Sequence, residues 1–171
     1  QDACKTGRAR RVGDYAAGVG TALALPGHTV RGLRVMGQLI DVGMLQIPRE
    51  LLWRPGILSA SEFELVKTHA ERGFEVLRAV EFPWPVAEVV RQHHERLDGS
   101  GYPKGLRGGE IDPDAALVAV ADVFEALTAA RPYRQAWTVD RVERHLRSLA
   151  GIQFDAAAVG ALFRICQREN R

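Results

Sequence analysis

The stretch HHERLDGSGYP, residues 93–103, decides how the rest of the chain is interpreted. Two adjacent histidines stand directly before a run that contains Gly99 and Gly101. This pattern predicts that a helix ends at the histidines and that an ordered loop follows, and long loops in compact domains are usually functional or mobile. The rest of the sequence therefore has to be searched for partners of the two imidazoles.

The composition predicts one globular domain and no polyanionic partner. A chain of 171 residues with 46% hydrophobic and 26% charged residues is typical of a single soluble domain. Lys and Arg total 23 and Asp and Glu total 21, which gives a net charge of +2 and argues against nucleic acid as a partner. We assign the small basic cluster of Arg8, Arg10 and Arg11 to a solvated helix face.

The cysteines and the apolar segments bear on location. Cys4 and Cys166 form neither a disulfide framework nor a metal-type pair, which indicates a reducing, cytoplasmic setting. No stretch approaches the roughly 20 apolar residues of a membrane span, and no signal peptide is visible, so we expect no membrane insertion. Because the chain begins with Gln, we expect it to be a piece of a larger signalling protein.

Helical periodicity dominates the sequence, and no clear run alternates with period two, which predicts an all-α fold. Ser59 and Glu62 form an S-x-x-E capping box, and we expect one helix to run from it through Leu77 with Phe63 on its apolar face. The other predicted helices cover about 7–25, 29–40, 86–94, 114–130, 138–149 and 155–167.

Two carboxylates stand where an isolated charge would be costly. Asp122 lies within ALVAVADVFEALTAA, residues 116–130, and Asp41 lies within LIDVGM, residues 39–44, at or just beyond a helix end. A buried carboxylate has to be paired, protonated or bound to a metal. His69 lies at the edge of an apolar helix face, where a single histidine is more often a satisfied core residue than a ligand.

Taken together, these side chains fit a metal centre. Imidazoles and carboxylates that converge from separate helices suit a divalent transition metal such as Fe, Mn or Zn. No cysteine lies among them, which argues against a thiolate zinc site. The other interpretation, that each histidine is only a structural core residue, stays open at this point.

The stretch HHERLDGSGYP resembles the signature of the HD-GYP family, the bacterial phosphodiesterases that cleave cyclic di-GMP. The resemblance extends over about residues 8–163. Its further blocks are Lys104-Gly105-Leu106, Ile111, Ile47-Pro48, Lys67-Thr68-His69, Ala121–Leu127, Arg131-Pro132-Tyr133-Arg134 and Phe154-Asp155. Because the signature and its flanking blocks occur in order, the chain is identified as a member of that family.

The resemblance implies a fold, a cofactor and a reaction. It implies one compact multi-helix domain of the HD superfamily over residues 1–171, with metal ions in its core and a hydroxide that attacks phosphorus in line. Asp41 and Asp122 would be catalytic as well as metal-binding. The metal ligands that the resemblance implies are Asp41, His69, His93, His94 and Asp122.

The resemblance also implies a ligand and a docking loop. Cyclic di-GMP would contact Tyr102, Arg131 and Arg134, and guanidinium groups suit both phosphate and guanine. The loop around Tyr102 has also been implicated in the family in docking partner signalling domains.

Two positions depart from the family pattern His-Asp-x-Gly-Lys. The ligand histidine is Ile40, and the lysine that helps to hold the scissile phosphate is Met44. The upstream His and Glu ligands fall near Arg8 and Cys4. The ligand set therefore predicts at most one well-held ion, or none, and Arg8 would either oppose a metal or act as a substitute cation.

These departures leave two functions open. The favoured one is a cyclic di-GMP signalling domain whose catalysis is lost or strongly weakened, and which binds cyclic di-GMP or a signalling protein. The alternative is an active metal-dependent phosphodiesterase that works with a reduced metal centre.

Overall fold

The computed structural model describes residues 3–53, 56–130 and 135–169. In that part of the chain the regular elements are helices, with two isolated β-bridges and no strand, so the all-α prediction is confirmed. Short 3₁₀ helices occur at Val42–Gln46 and Gly108–Glu110. The α-helices are α1 (Ala3–Ala22), α2 (Gly27–Leu39), α3 (Arg49–Trp53), α4 (Ala60–Lys67), α5 (His69–Leu77), α6 (Val86–Gln92), α7 (Pro113–Thr128), α8 (Val139–Leu149) and α9 (Ala156–Glu169).

Side-chain caps fix several helix starts where the sequence predicts them. The Ser59 hydroxyl accepts from the Glu62 N–H while the Glu62 carboxylate accepts from the Ser59 N–H, so the capping box before α4 is confirmed. Thr138 caps α8, and Asp155 caps α9 by accepting from the Ala158 N–H at 2.7 Å.

Helix α7 lies at the centre of the core. It packs against α1, α2, α6, α8 and α9, and its residues Val118, Val120 and Ala121 have no exposed surface. The Tyr15 ring on α1 and the Phe124 ring on α7 form a T-shaped pair, with 5.0 Å between the centroids. This packing brings the polar positions of α7 into the middle of the molecule, next to the N-terminal helix.

The single helix that we predict from the capping box through Leu77 is wrong, because the helix breaks at Thr68. The Thr68 hydroxyl donates to the Leu65 carbonyl at 2.6 Å, and the Thr68 N–H bonds to the carbonyls of Leu65 and Val66. These bonds close a tighter turn and end α4. Phe63 is therefore 47% exposed instead of facing the core.

The solvated helix face predicted for the basic cluster is wrong for Arg8, whereas Arg11 is 44% exposed, as that prediction requires. The side chain of Arg10 is 82% exposed, as expected, but that of Arg8 is 19% exposed and both Arg8 and Arg11 form ion pairs with Glu125 on α7. Helix α1, which carries Arg8, packs on α7, the helix to which Glu125 belongs.

Within residues 3–53, 56–130 and 135–169, no helix combines the length and the apolar character that crossing a membrane requires.

Candidate metal and ligand site

Three histidines meet where α5, α6 and the following loop come together. His69 is the first residue of α5, His93 caps the C-terminus of α6, and His94 follows it. One nitrogen from each ring lies within 4.8 Å of the other two. His69 and His93 are almost completely buried. The helix break at Thr68 contributes directly to this cluster because it sets the start of α5.

Backbone hydrogen bonds fix which nitrogen of two rings carries a proton. Nδ1 of His69 lies 2.8 Å from the Val66 oxygen, and Nδ1 of His93 lies 2.7 Å from the Val90 oxygen. Because a carbonyl oxygen only accepts, each Nδ1 donates, and Nε2 of each neutral ring carries a lone pair. The two Nε2 atoms are 3.4 Å apart.

That separation suits a single bound ion. Two nitrogens that bind one tetrahedral metal at about 2.0–2.1 Å lie about 3.3–3.4 Å from each other. Two facing lone pairs without a cation repel each other. The backbone acceptors at Nδ1 are also the outer partners that metal-bound histidines typically have. The histidine cluster therefore fits one ion.

The protonation state of the cluster favours the same conclusion. Burial lowers the pKa of His69, and it lowers the pKa values of His93 and His94 well below the ordinary histidine value. The adjacent rings add to the effect, since His69 lowers the pKa of His93 and His93 lowers that of His94. The imidazoles are therefore neutral near pH 7, which is the state that binds a metal.

The two aspartates of the predicted centre meet a guanidinium group. Arg8 on α1 donates to Asp41, which follows α2, and to Asp122 on α7 at 2.5 Å. The Arg8 Nε also lies 3.2 Å from a carboxylate oxygen of Glu125. A cation of the protein itself thus stands between the two carboxylates that the resemblance implies as metal ligands.

Buried Glu125 and the more exposed Arg11 extend this cluster. The Glu125 side chain is 1% exposed and accepts two hydrogen bonds from Arg11, at 2.7 and 3.1 Å. Glu125 is not among the site residues predicted from the sequence. Its spacing of three residues from Asp122 on an apolar helix would have revealed it, because residues at that spacing share a helix face.

The pKa values of Arg8 and Asp122 reflect both their burial and their pairing. Burial by itself would lower the pKa of Arg8, but Asp122, Asp41 and Glu125 outweigh burial and raise it, so Arg8 stays charged. Burial raises the pKa of Asp122 to about 6, although the charge of Arg8 acts in the opposite direction. The arginine therefore compensates a carboxylate that the interior would otherwise protonate.

The carboxylates of Asp41 and Asp122, as they are paired here, fit a metal ion poorly. Both carboxylates are already bound to Arg8, and an incoming metal cation would have to displace that guanidinium. Ile40 is completely buried and offers no ligand atom. Met44, in the 3₁₀ helix Val42–Gln46, carries no charge for a phosphate.

The loop after His94 is held by a buried carboxylate. Glu95 is 3% exposed, and it accepts from the N–H groups of Lys104 at 2.7 Å and Leu106 at 3.0 Å. This fixes the loop so that the Tyr102 ring stacks on His94, with 4.6 Å between centroids and 28° between planes. Burial raises the pKa of Tyr102, so its hydroxyl stays protonated at neutral pH.

The predicted site residues are thus divided between two neighbouring groups. The structure brings His69, His93 and His94 together with Tyr102, and it pairs Asp41 and Asp122 with Arg8. Arg131 and Arg134 lie outside the described residues, as does the side chain of Cys4. Glu95 stands inside the signature, but its role as a loop anchor is not predicted from the sequence.

Curated proteins with similar sequences include cyclic-dinucleotide phosphodiesterases. The response regulator RpfG of Xanthomonas campestris, named a cyclic di-GMP phosphodiesterase, is 41% identical over 90% of this chain and 41% of its own length. A cyclic di-GMP phosphodiesterase of Thermotoga maritima is 35% identical over 91% of this chain and 43% of its own length. The chain thus spans about two-fifths of the length of these relatives.

Solved structures and a family profile agree on the fold. Bd1817 of Bdellovibrio bacteriovorus, described as an HDG"Y"P protein, superposes with a TM-score of 0.77 at 21% identity over 95% of this chain and 52% of its own. The HD domain of the Listeria monocytogenes phosphodiesterase PgpH superposes with a TM-score of 0.66 at 15% identity, over 98% of this chain and 93% of its own. The profile of the HD domain matches residues 2–158, and the chain therefore belongs to the HD-domain family.

Proposed function

We propose that this chain is a cyclic di-GMP-binding HD domain in which hydrolysis is lost or strongly weakened. One observation carries the proposal: the Arg8 guanidinium pairs with Asp41 and Asp122, where a two-metal centre needs a metal ion. The curated relatives are named for phosphodiesterase activity on cyclic di-GMP, which supports the ligand class.

The histidine cluster and the neighbouring Tyr102 support binding of cyclic di-GMP. The histidine cluster fits one Fe, Mn or Zn ion, and such an ion, when bound, would attract and polarise a phosphate oxygen. The Tyr102 ring, held by His94 and the Glu95 loop, offers an aromatic surface beside that position. Arg131 and Arg134 are proposed to contribute further contacts to phosphate or guanine.

Arg8 and Met44 explain why we expect hydrolysis to be weak. Two-metal phosphodiester hydrolysis uses one ion to generate hydroxide and both ions to stabilise the charge on the phosphate. Arg8 supplies a positive charge but has no open coordination position for water. Loss of a single stabilising group typically costs a factor of roughly 10²–10³ in rate, and the proposal involves two such losses, the ion that Arg8 would displace and the lysine that Met44 replaces.

The second candidate is a slow phosphodiesterase with one ion. The 3.4 Å separation of the His69 and His93 Nε2 atoms favours it, because one ion is enough to bind and polarise a phosphate. Asp122 is the proton acceptor in this candidate, and the charge of Arg8, which lowers the pKa of Asp122 against the effect of burial, favours the ionised form that accepts a proton.

The proposal includes a place in a larger signalling protein. The curated relatives are more than twice as long as the part that this chain matches. We propose that the loop around Tyr102, fixed by Glu95, docks a partner domain in such a protein.

Calorimetry with cyclic di-GMP, followed by chromatography of the same samples, tests the proposal. We expect saturable binding with a stoichiometry near one, and no more than trace product after incubation with Mn²⁺. No binding with or without Mn²⁺ would reject the ligand. Binding with turnover within about tenfold of the Thermotoga maritima relative would favour the phosphodiesterase instead.

A further inference from the structure

The helix break at Thr68 places a lysine beside the candidate site. Lys67 is the last residue of α4, and His69 of the histidine cluster is the first residue of α5. The Lys67 Nζ lies 5.4 Å from the centroid of the Tyr102 ring, and that ring stacks on His94. Lys67, Tyr102 and His94 therefore form a chain of contacts that leads from the surface to the histidines.

The Lys67 ammonium is positioned by its surroundings instead of extending freely into water. It lies 5.0 Å from the Phe63 centroid as well as 5.4 Å from the Tyr102 centroid, and its side chain is 27% exposed. Contacts of a cation with two ring faces hold the charge at this place. The exposure of Phe63, which the helix pattern alone does not predict, thus has a structural consequence.

Glu64 binds one hydrogen of this ammonium but leaves donors available. The Lys67 Nζ donates to the Glu64 carboxylate at 2.7 Å, and an ammonium has three hydrogens. Glu64 is 67% exposed, so water screens the pair and its strength is small. An anion can therefore replace or share this contact.

Neighbouring arginines are directed to other partners. Arg8 donates to the carboxylates of Asp41 and Asp122. Arg96 donates to the backbone carbonyls of His93 at 3.2 Å and Glu95 at 2.7 Å, which holds the loop.

We propose that Lys67 is an anion-binding residue of this site, which contacts a phosphate group of the ligand that lies against Tyr102. This assignment rests on the proposed cyclic di-GMP binding. Glu64 competes with the phosphate for the ammonium and so reduces the affinity. Lysine binds phosphate as a compact point charge, and a hydrogen bond between charged partners is among the stronger contacts in proteins.

The test compares Lys67→Met, Lys67→Arg and Glu64→Gln with the unchanged chain by calorimetry with cyclic di-GMP. We expect Lys67→Met to weaken binding about tenfold and to reduce its dependence on salt, because a charge contact is lost. Lys67→Arg should restore most of the affinity. Glu64→Gln should tighten binding about two- to threefold, because the competitor loses its charge.

Arg78→Met is the matched control, because it removes a positive charge at the opposite end of α5 and should leave the affinity unchanged. Equal weakening by Arg78→Met and Lys67→Met would indicate a general charge effect and overturn the assignment. Unchanged affinity in both Lys67→Met and Glu64→Gln would also overturn it. If Lys67→Met fails to fold, the sign of the Glu64→Gln effect decides, and weaker or unchanged binding rejects the role of Lys67. Absence of binding by the unchanged chain would reject the proposed ligand itself, which is a different outcome.

Discussion

Arg8 donates a 2.5 Å hydrogen bond to the Asp122 carboxylate, although 114 positions separate the two residues in sequence. The bond joins α1 to the middle of α7 inside the core. It gives a buried carboxylate a fixed counter-charge, which is the task that a metal ion performs in a two-metal site. The Arg8–Asp122 pair therefore affects both the stability of the fold and the ability of Asp122 to bind a metal.

Removing the Arg8 side-chain charge should destabilise the metal-free protein. Arg8→Met leaves Asp41, Asp122 and Glu125 without their shared cation, and loss of one partner of a buried ion pair costs about 3–5 kcal/mol. Arg10→Met, at an 82% exposed side chain on the same helix, should change the free energy of unfolding by less than about 0.5 kcal/mol. Urea unfolding in chelator measures both, and equal effects would argue against the buried cluster.

The same variant should gain affinity for a metal. In Arg8→Met the carboxylates of Asp41 and Asp122 become free to bind a cation. Adding Mn²⁺ should therefore raise the melting temperature of Arg8→Met by several degrees more than that of the unchanged chain. Identical shifts in the two proteins would show that Arg8 does not obstruct a metal position.

Restoring the family pattern should require a change at Arg8 too. Ile40 is completely buried, so Ile40→His without a metal would place an imidazole in the core near a guanidinium. We expect Ile40→His with Met44→Lys to gain little turnover of cyclic di-GMP. Adding Arg8→His should raise turnover at least about tenfold above that double variant. Full recovery in the double variant would contradict the obstructing role of Arg8.

Stability of the metal-free protein should fall below pH 6.5. Burial lowers the pKa values of His69, His93 and His94, so the unfolded chain takes up protons that the folded chain does not. Each such proton costs about 1.4 kcal/mol per pH unit below the unfolded pKa. Asp122 acts in the opposite direction, because its pKa is raised to about 6 and its folded form binds a proton first. Since three histidines oppose one carboxyl, the net free energy of unfolding should decrease from pH 7.5 to 5.5.

Urea unfolding in chelator at the two pH values gives this slope. His93→Gln should flatten it, while His145→Gln, on the exposed surface, should leave it unchanged. A free energy of unfolding that rises toward pH 5.5 would contradict the buried neutral histidines.

The loop should not tolerate a methyl group at Gly101. A Cβ there would lie 2.4–2.5 Å from backbone atoms of His94, Glu95 and Arg96, so the chain that carries the histidines would have to move. We expect Gly101→Ala to cost about 2 kcal/mol or more and to weaken ligand binding. Gly109→Ala, which meets nothing within 4 Å, is the matched control. Similar melting temperatures for both variants would contradict the close packing at Gly101.

Local sequence patterns predict the helices and the polar positions of the core well. The capping box at Ser59 and the apolar run around Asp122 depend on neighbours within a few residues, so the sequence contains the signal. The helix break at Thr68 is harder to predict from the sequence, because it depends on the hydrogen bond from the Thr68 hydroxyl to the Leu65 carbonyl. Its effect on Phe63 and Lys67 therefore needs the structure.

Partners that are distant in sequence were harder to predict. The family resemblance implies that Arg8 either opposes a metal or acts as a substitute cation, whereas its basic neighbours indicate a solvated face. Only the packing of α1 on α7 decides between them, since it brings Arg8 to Asp122 and Glu125. Asp122 and Glu125 stand in the same apolar run, but the resemblance implies a role for Asp122 alone, so the pairing of Glu125 with Arg8 and Arg11 needs the structure.

Metal analysis of protein purified without chelator and in the absence of air tests the central claim most directly. Arg8 stands between Asp41 and Asp122, and among the described residues the histidine cluster is the group that fits an ion. We therefore predict no more than about one Fe, Mn or Zn per chain, and its loss in His93→Gln. Two or more tightly bound ions per chain would contradict the account.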